Sequence, residues 1–145
     1  MRLARQAALM LILSACDQPG GSFCVQDLGG SVPKGMSMER AERWAAVGDH
    51  TCLMKLTPVD PIGLAELLAR LPPNESMGPQ DRCPNPGRDR WFRSEIAPWW
   101  TESQAPSVNE FYAGDREQTG GGGRDFWHIC VDRTRDAIYI LSGNT

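Results

Sequence analysis

A chain of 145 residues carrying 15 Lys plus Arg against 18 Asp plus Glu is one domain by length and has no surplus of positive charge. That balance excludes the basic stripe a nucleic-acid binder needs to meet phosphates. No apolar run approaches the roughly 20 residues of a membrane-spanning helix, and the five cysteines leave one over after pairing.

The first sixteen residues account for the odd cysteine. Arg2 and Arg5 precede an apolar run from Ala7 to Leu13, and Leu13-Ser14-Ala15-Cys16 closes it. A charged start, a short apolar stretch and small residues before a cut describe an export signal. Residues 13–16 resemble the lipobox of bacterial lipoproteins, a resemblance confined to residues 1–16. It implies that the signal is removed, that Cys16 becomes the new N-terminus, and that it carries a diacylglyceryl thioether, often with an amine-linked chain such as palmitate. Two or three acyl chains anchor a protein stably where one binds only marginally. The expected location is the bacterial cell envelope, facing the periplasm. In enteric-type diderms an Asp after the lipidated cysteine, here Asp17, commonly retains the protein at the inner membrane. Loss of Arg2 and Arg5 takes the 15 basic residues to 13 against 18 acidic ones, a mildly acidic mature chain whose lysines are only Lys34 and Lys55.

Residues 17–35 are rich in Gly and Pro and read as a flexible tether, interrupted by Phe23-Cys24-Val25, with the globular domain expected over 36–145. Ser37 is placed to cap a helix from Met38 to about Val47, since Met38, Ala41, Trp44 and Ala45 share one helical face and Gly48 stops it. Thr51 to Leu56 alternates as a strand. Asp60 then reads as an N-cap with Pro61 at the first helical position, and Leu64, Leu67, Leu68 and Leu71 follow helical spacing until Pro72-Pro73. Residues 72–89 form an irregular, proline-rich loop around Cys83. Two aromatic patches follow, Arg90-Trp91-Phe92-Arg93 and Pro98-Trp99-Trp100, and then a strand from Val108 to Tyr112. Gly120 to Gly123 before Arg124 lacks the residues and the following helix of a phosphate cradle and reads as a flexible loop. Asp125 to Asp132 and Ala137 to Ser142 predict a hairpin pairing Val131 with Ile138, Ile129 with Ile140 and Trp127 with Ser142. Both its faces are largely apolar, so it is expected to be central and covered on both sides, or covered on one side and partner-binding on the other. Together these elements predict a small α+β domain with a short antiparallel sheet.

Once Cys16 is assigned to lipid, Cys24, Cys52, Cys83 and Cys130 remain. An oxidising compartment makes them two structural disulfides with three connectivities open. A bridge over a long loop, such as Cys52 to Cys130, would contribute about 4 kcal/mol in the chain-entropy view. The chain's two histidines sit in a repeated pattern, His50-Thr51-Cys52 and His128-Ile129-Cys130. On neighbouring strands these four side chains would form a tetrahedral Cys₂His₂ metal site, an alternative that requires reduced cysteines. No cofactor is implied.

No nucleophile motif is present, whether Gly-x-Ser-x-Gly or Ser-x-x-Lys. Glu102, Glu110, Asp115 and Glu117 are dense enough to hold a glycan-cleaving pair, although surface acids paired with the many arginines explain them equally. Trp91, Phe92, Trp99 and Trp100, with Arg90 and Arg93, are the candidate partner contacts, because Trp and Arg dominate interface hot spots; core packing is the competing role. The reading that follows is a non-catalytic, lipid-anchored envelope domain that binds another protein, as an assembly accessory, an inhibitor or an immunity-type factor. The rivals are an enzyme binding or cleaving cell-wall polymer near Trp99-Trp100 and a metal-binding domain. Nothing in the sequence identifies a small-molecule ligand.

Overall fold

The computed structural model describes residues 21–46, 48–74, 82–86 and 97–145. In chain order the elements are α1 (Gly21–Asp27), β1 (Ser37–Ala46), β2 (Asp49–Thr57), α2 (Pro61–Arg70), a 3₁₀ helix (Pro98–Gln104), β3 (Val108–Glu117), β4 (Arg124–Asp132) and β5 (Ala137–Asn144). The strands form one antiparallel sheet in the order β1-β2-β5-β4-β3, an α+β domain with the C-terminal strand at its centre.

The predicted C-terminal hairpin forms in the expected register, with Asp132 opposite Ala137, Val131 opposite Ile138 and Trp127 opposite Ser142. Its turn is fixed by Asp132, which accepts the backbone N–H groups of Thr134 and Arg135, both at 3.0 Å, and the Ser107 hydroxyl at 2.8 Å. Because β5 lies between β2 and β4, its residues from Ala137 to Gly143 are all buried, which explains a strand apolar on both faces.

Each face has its own core. On the first, Cys52, Met54, Leu56, Trp127, Ile129, Val131, Ile138 and Ile140 pack against Leu28 and the α2 residues Leu64 and Leu67. Helix α2 starts as its sequence predicts, with Asp60 accepting the Gly63 N–H at 2.8 Å and Pro61 in its first turn. On the second face, Leu53, Cys130, Tyr139, Leu141 and Val108 pack against Ala97, Trp100 and Cys83.

Two expectations are corrected. The helix expected from Met38 to about Val47 does not form over its described residues: β1 pairs with β2 from Ser37 opposite Thr57 to Ala46 opposite Asp49, with a bulge between Met38 and Arg40. An apolar spacing that suits a helix also suits this strand, which buries Ala41 on the first face and packs Trp44 against the second. Pairing with β2 overrides the local helical preference. Residues 21–35 are not tether, since they contain α1 and the fully buried Cys24 and Leu28. The packed domain therefore extends at least from Gly21. The two disulfides expected from the cysteine count form, and of the three connectivities left open the structure shows Cys24–Cys52 and Cys83–Cys130, one in each core.

Candidate functional site

The densest polar junction on the first face is built where α1 ends. The Cys24–Cys52 bond fastens α1 to β2, which places Asp27, the last residue of the helix, over the ends of β2 and β5. Its carboxylate meets His50 Nε2 at 2.9 and 3.0 Å and accepts the Ser142 hydroxyl at 2.6 Å. These residues come from three elements, and 115 positions separate Asp27 from Ser142, so no sequence window could join them. Beside the junction lies a cleft of about 160 Å³ lined by Gln26, Asp27, Arg116, Asp125, Trp127 and Ser142, among others. Burial opposes ionisation of Asp125, but hydrogen bonds from Gln118 and Arg116 outweigh it and hold the carboxyl below its ordinary range.

The order of groups decides what this junction can do. In a nucleophilic triad the histidine stands between serine and acid and takes the serine proton. Here the acid stands between serine and histidine, so Ser142 donates to a carboxylate and gains no base. Asp27 is a clasp joining α1, β2 and β5. Asp27, His50 and Cys52 also lie close enough to suggest a metal set, but the Cys52 sulfur is bonded to Cys24 and cannot act as a thiolate ligand.

The alternative Cys₂His₂ constellation does not assemble. His50 and Cys52 stand on β2, His128 and Cys130 on β4, and β5 separates the two strands. Both cysteines are spent in disulfides, and the sulfurs lie on opposite sides of the sheet. His50 goes to Asp27. His128 keeps Nδ1 buried without a partner among the described residues, and burial pushes its pKa down.

On the second face, a polar bracket docks the 3₁₀ helix onto the sheet. Lys55 Nζ meets Glu102 at 2.8 Å and Glu39 at 3.0 Å, and the Tyr139 hydroxyl donates to Glu102 at 3.0 Å. Burial opposes the charge on Lys55, but the two glutamates outweigh it and raise its pKa. The Lys55 hydrogen bond in turn holds Glu102 below the usual carboxylate range. Burial, seconded by Glu102, pushes the Tyr139 phenol up to about 12. Of the other surface acids, Glu110 pairs with Arg133 and Tyr112, and Asp115 pairs with Arg124 and Asn74. The Arg133 hydrogen bond lowers the Glu110 pKa as well. A glycan-cleaving proton donor needs a carboxyl raised toward neutrality; the described carboxyls with a resolved shift, Glu66, Glu102, Glu110 and Asp125, all move the other way.

The proposed aromatic contacts divide. Trp100 is only 1 % exposed, donates to Pro84 O at 3.0 Å and stands edge-on to Tyr139, so it is core and not a contact residue. Trp99 is half-buried and donates to Glu42 at 3.3 Å. Trp91, Phe92, Arg90, Arg93 and Cys16 lie outside the described residues. Among the described residues, the exposed large apolar side chains that the structure adds are Phe23 and Ile62. Phe23 carries the Arg43 guanidinium 3.3 Å above its ring and the His50 ring at its edge, a pairing that residues twenty positions apart do not announce.

No protein-family model matches the chain, and comparison with curated proteins and with solved structures gives no match. Among the described residues no helix is long and apolar enough to cross a membrane.

Proposed function

We propose that this protein is a lipid-anchored domain of the bacterial envelope that captures another protein by surface contact and performs no chemistry of its own. The observation that carries this reading is the pair of disulfides, one in each core. Two buried disulfides belong to an oxidising compartment, and the leader with Cys16 at its cut supplies the route there. The polar junctions support the non-catalytic part, since Asp27 and Glu102 are each engaged by several groups in fastening one element to another.

The position of α1 adds a constraint. Gly21 lies five positions after Cys16, and five extended residue steps reach no more than about 18 Å. A lipid on Cys16 therefore holds the domain against the membrane surface, with α1 and its exposed Phe23 on the anchored end. The partner is accordingly a membrane-proximal protein, and the Phe23–Arg43 pair joins Trp99, Trp91 and Phe92 as its candidate contact.

The test starts with the intact mass of the chain exported in a bacterium fed a labelled fatty acid. The expected result is a chain beginning at Cys16, carrying acyl label, and four hydrogens lighter than the thiol form. An unlabelled chain, or one with free thiols, defeats the anchoring. Photo-crosslinking from position 23 in intact cells then reads the partner, and a lack of any protein adduct there and from position 99 defeats the capture.

A further inference from the structure

β1 is an edge strand, and its charge order is self-complementary. We propose that a second copy of this chain pairs with β1 antiparallel about Ala41, joining two sheets into one. Among the described residues no backbone hydrogen bond reaches the side of β1 away from β2, and the Cys24 sulfur lies 3.7 Å from Glu42 O. Such an edge presents a row of free N–H and C=O groups.

The occupant is read from the sequence Glu39-Arg40-Ala41-Glu42-Arg43. When two copies pair about a twofold axis through Ala41, Arg40 stands opposite Glu42 of the second copy, and Glu42 opposite Arg40 of the second copy. Glu39 takes no part in the pairing: it is the bulge residue and is held by Lys55, while Arg43 turns to the first face, over Phe23. Arg40 and Glu42 stand opposite Lys55 and Leu53 in the β1–β2 register, so both point to the second face, where directly opposed residues of an antiparallel pair must meet. Arg40 is exposed and makes no ion pair with any described residue. Glu42 offers one carboxylate oxygen to Trp99 and leaves the other.

The same order rejects the neighbouring alignments. A twofold pair keeps each face on its own side only if the axis passes through a residue. Moving that axis by one residue sets Arg40 against itself or Glu42 against itself, and a parallel pairing in register sets every charge against its like. One alignment alone sets both Arg40–Glu42 pairs with unlike charges opposed, a self-complementary interface of the kind twofold dimers require. The axis stands perpendicular to the sheet, so α1 of both copies lies on the same side. Both chains enter from that side, as two anchors in one membrane need. The pairing itself stands whether or not Cys16 carries lipid.

The experiment is sedimentation equilibrium of the full chain, exported and extracted in density-matched detergent, as wild type, Arg40→Glu, Glu42→Arg and the double exchange. The expected result is a wild-type dimer, at least about tenfold weaker dimerisation in each single variant, where two attractive pairs become repulsive, and recovery in the double variant. A wild-type monomer, single variants that dimerise like wild type, or a double variant that stays as weak as the singles overturns the proposal. Salt provides the second measurement on the unaltered chain: raising it from about 0.05 M to about 0.5 M should weaken the dimer, and a salt-insensitive dimer overturns the charge register. Intact mass confirms that both disulfides persist in each variant.

Discussion

The two faces of the sheet are covered by different means. On the first, α2 lays a regular stripe of leucines over aliphatic residues of β2, β4 and β5, and α1 is held by a disulfide and the Asp27 clasp. On the second, the cover is a 3₁₀ helix and the segment around Cys83, held by one large aromatic, the Cys83–Cys130 bond and the Lys55–Glu102–Tyr139 bracket. A helix brings its own backbone hydrogen bonds and needs only an apolar stripe. An irregular cover lacks that internal ladder, so side chains must latch it: Trp100 to Pro84, Gln104 to Cys83 O at 2.9 Å, and Arg135 to Glu102 O at 3.1 Å. The first face should therefore lose stability gradually under mutation, and the second should come loose as a unit.

The largest expected effect tests that contrast directly. Trp100→Ala should cost about 3–5 kcal/mol in urea unfolding and Leu67→Ala about 2–5. Near-native hydrogen exchange should then show the 98–104 segment opening in the first variant and α2 staying protected in the second. Equal local protection in both would erase the distinction.

Removing one disulfide at a time comes next. The bonds close separations of 28 and 47 residues, worth about 3.6 and about 4 kcal/mol respectively in the chain-entropy view. The paired Cys83→Ser and Cys130→Ser change should free the second-face cover to proteases, whereas paired Cys24→Ser and Cys52→Ser should leave α2 protected and expose α1. Limited proteolysis with mass readout separates the two outcomes.

A smaller effect is expected at the sheet itself. The Trp127 indole lies against Gly114 on β3, and a Cβ there would sit 2.6 Å from three of its ring atoms. Gly114→Ala should cost about 1–3 kcal/mol as an overpacked contact, with a shifted Trp emission. An unchanged midpoint would show that the indole has room to move.

The pH dependence is the smallest. Burial lowers the folded-state pKa of His128 below the ordinary histidine value. The unfolded chain then binds the proton more readily, so stability is full above about pH 6.5 and declines as pH falls from there toward the depressed folded value. His128→Gln should flatten that part of the stability profile measured by urea unfolding, and an unaltered slope would assign the decline to other groups.

The elements that were legible in the sequence are those whose partners are close in the chain or whose pattern admits one periodicity. Asp60-Pro61 with the leucine stripe, and the hairpin around Arg133 to Asp136, are of this kind. Residues 38–46 were not legible as a strand because the apolar spacing of Met38, Ala41, Trp44 and Ala45 fits a helix, and the charges between them suit an exposed helix face and a charged sheet edge equally. The His-x-Cys repeat was legible as a pattern, but its meaning was not, because strand order lies outside the sequence period.

The sequence alone determined a small α+β domain of cysteines, aromatics and arginines, the placement of its most regular helix and hairpin, and the lipobox-like leader that motivates an envelope address. These follow from local propensity and from spacing along a few turns or strand residues. Only the tertiary structure decided that Cys24 bonds Cys52, that Asp27 gathers His50 and Ser142, that Trp100 is core, and that β1 is left at an edge. Each of these depends on which strands are neighbours, and strand order is fixed by burying both faces of β5 at once, a condition no single segment can express.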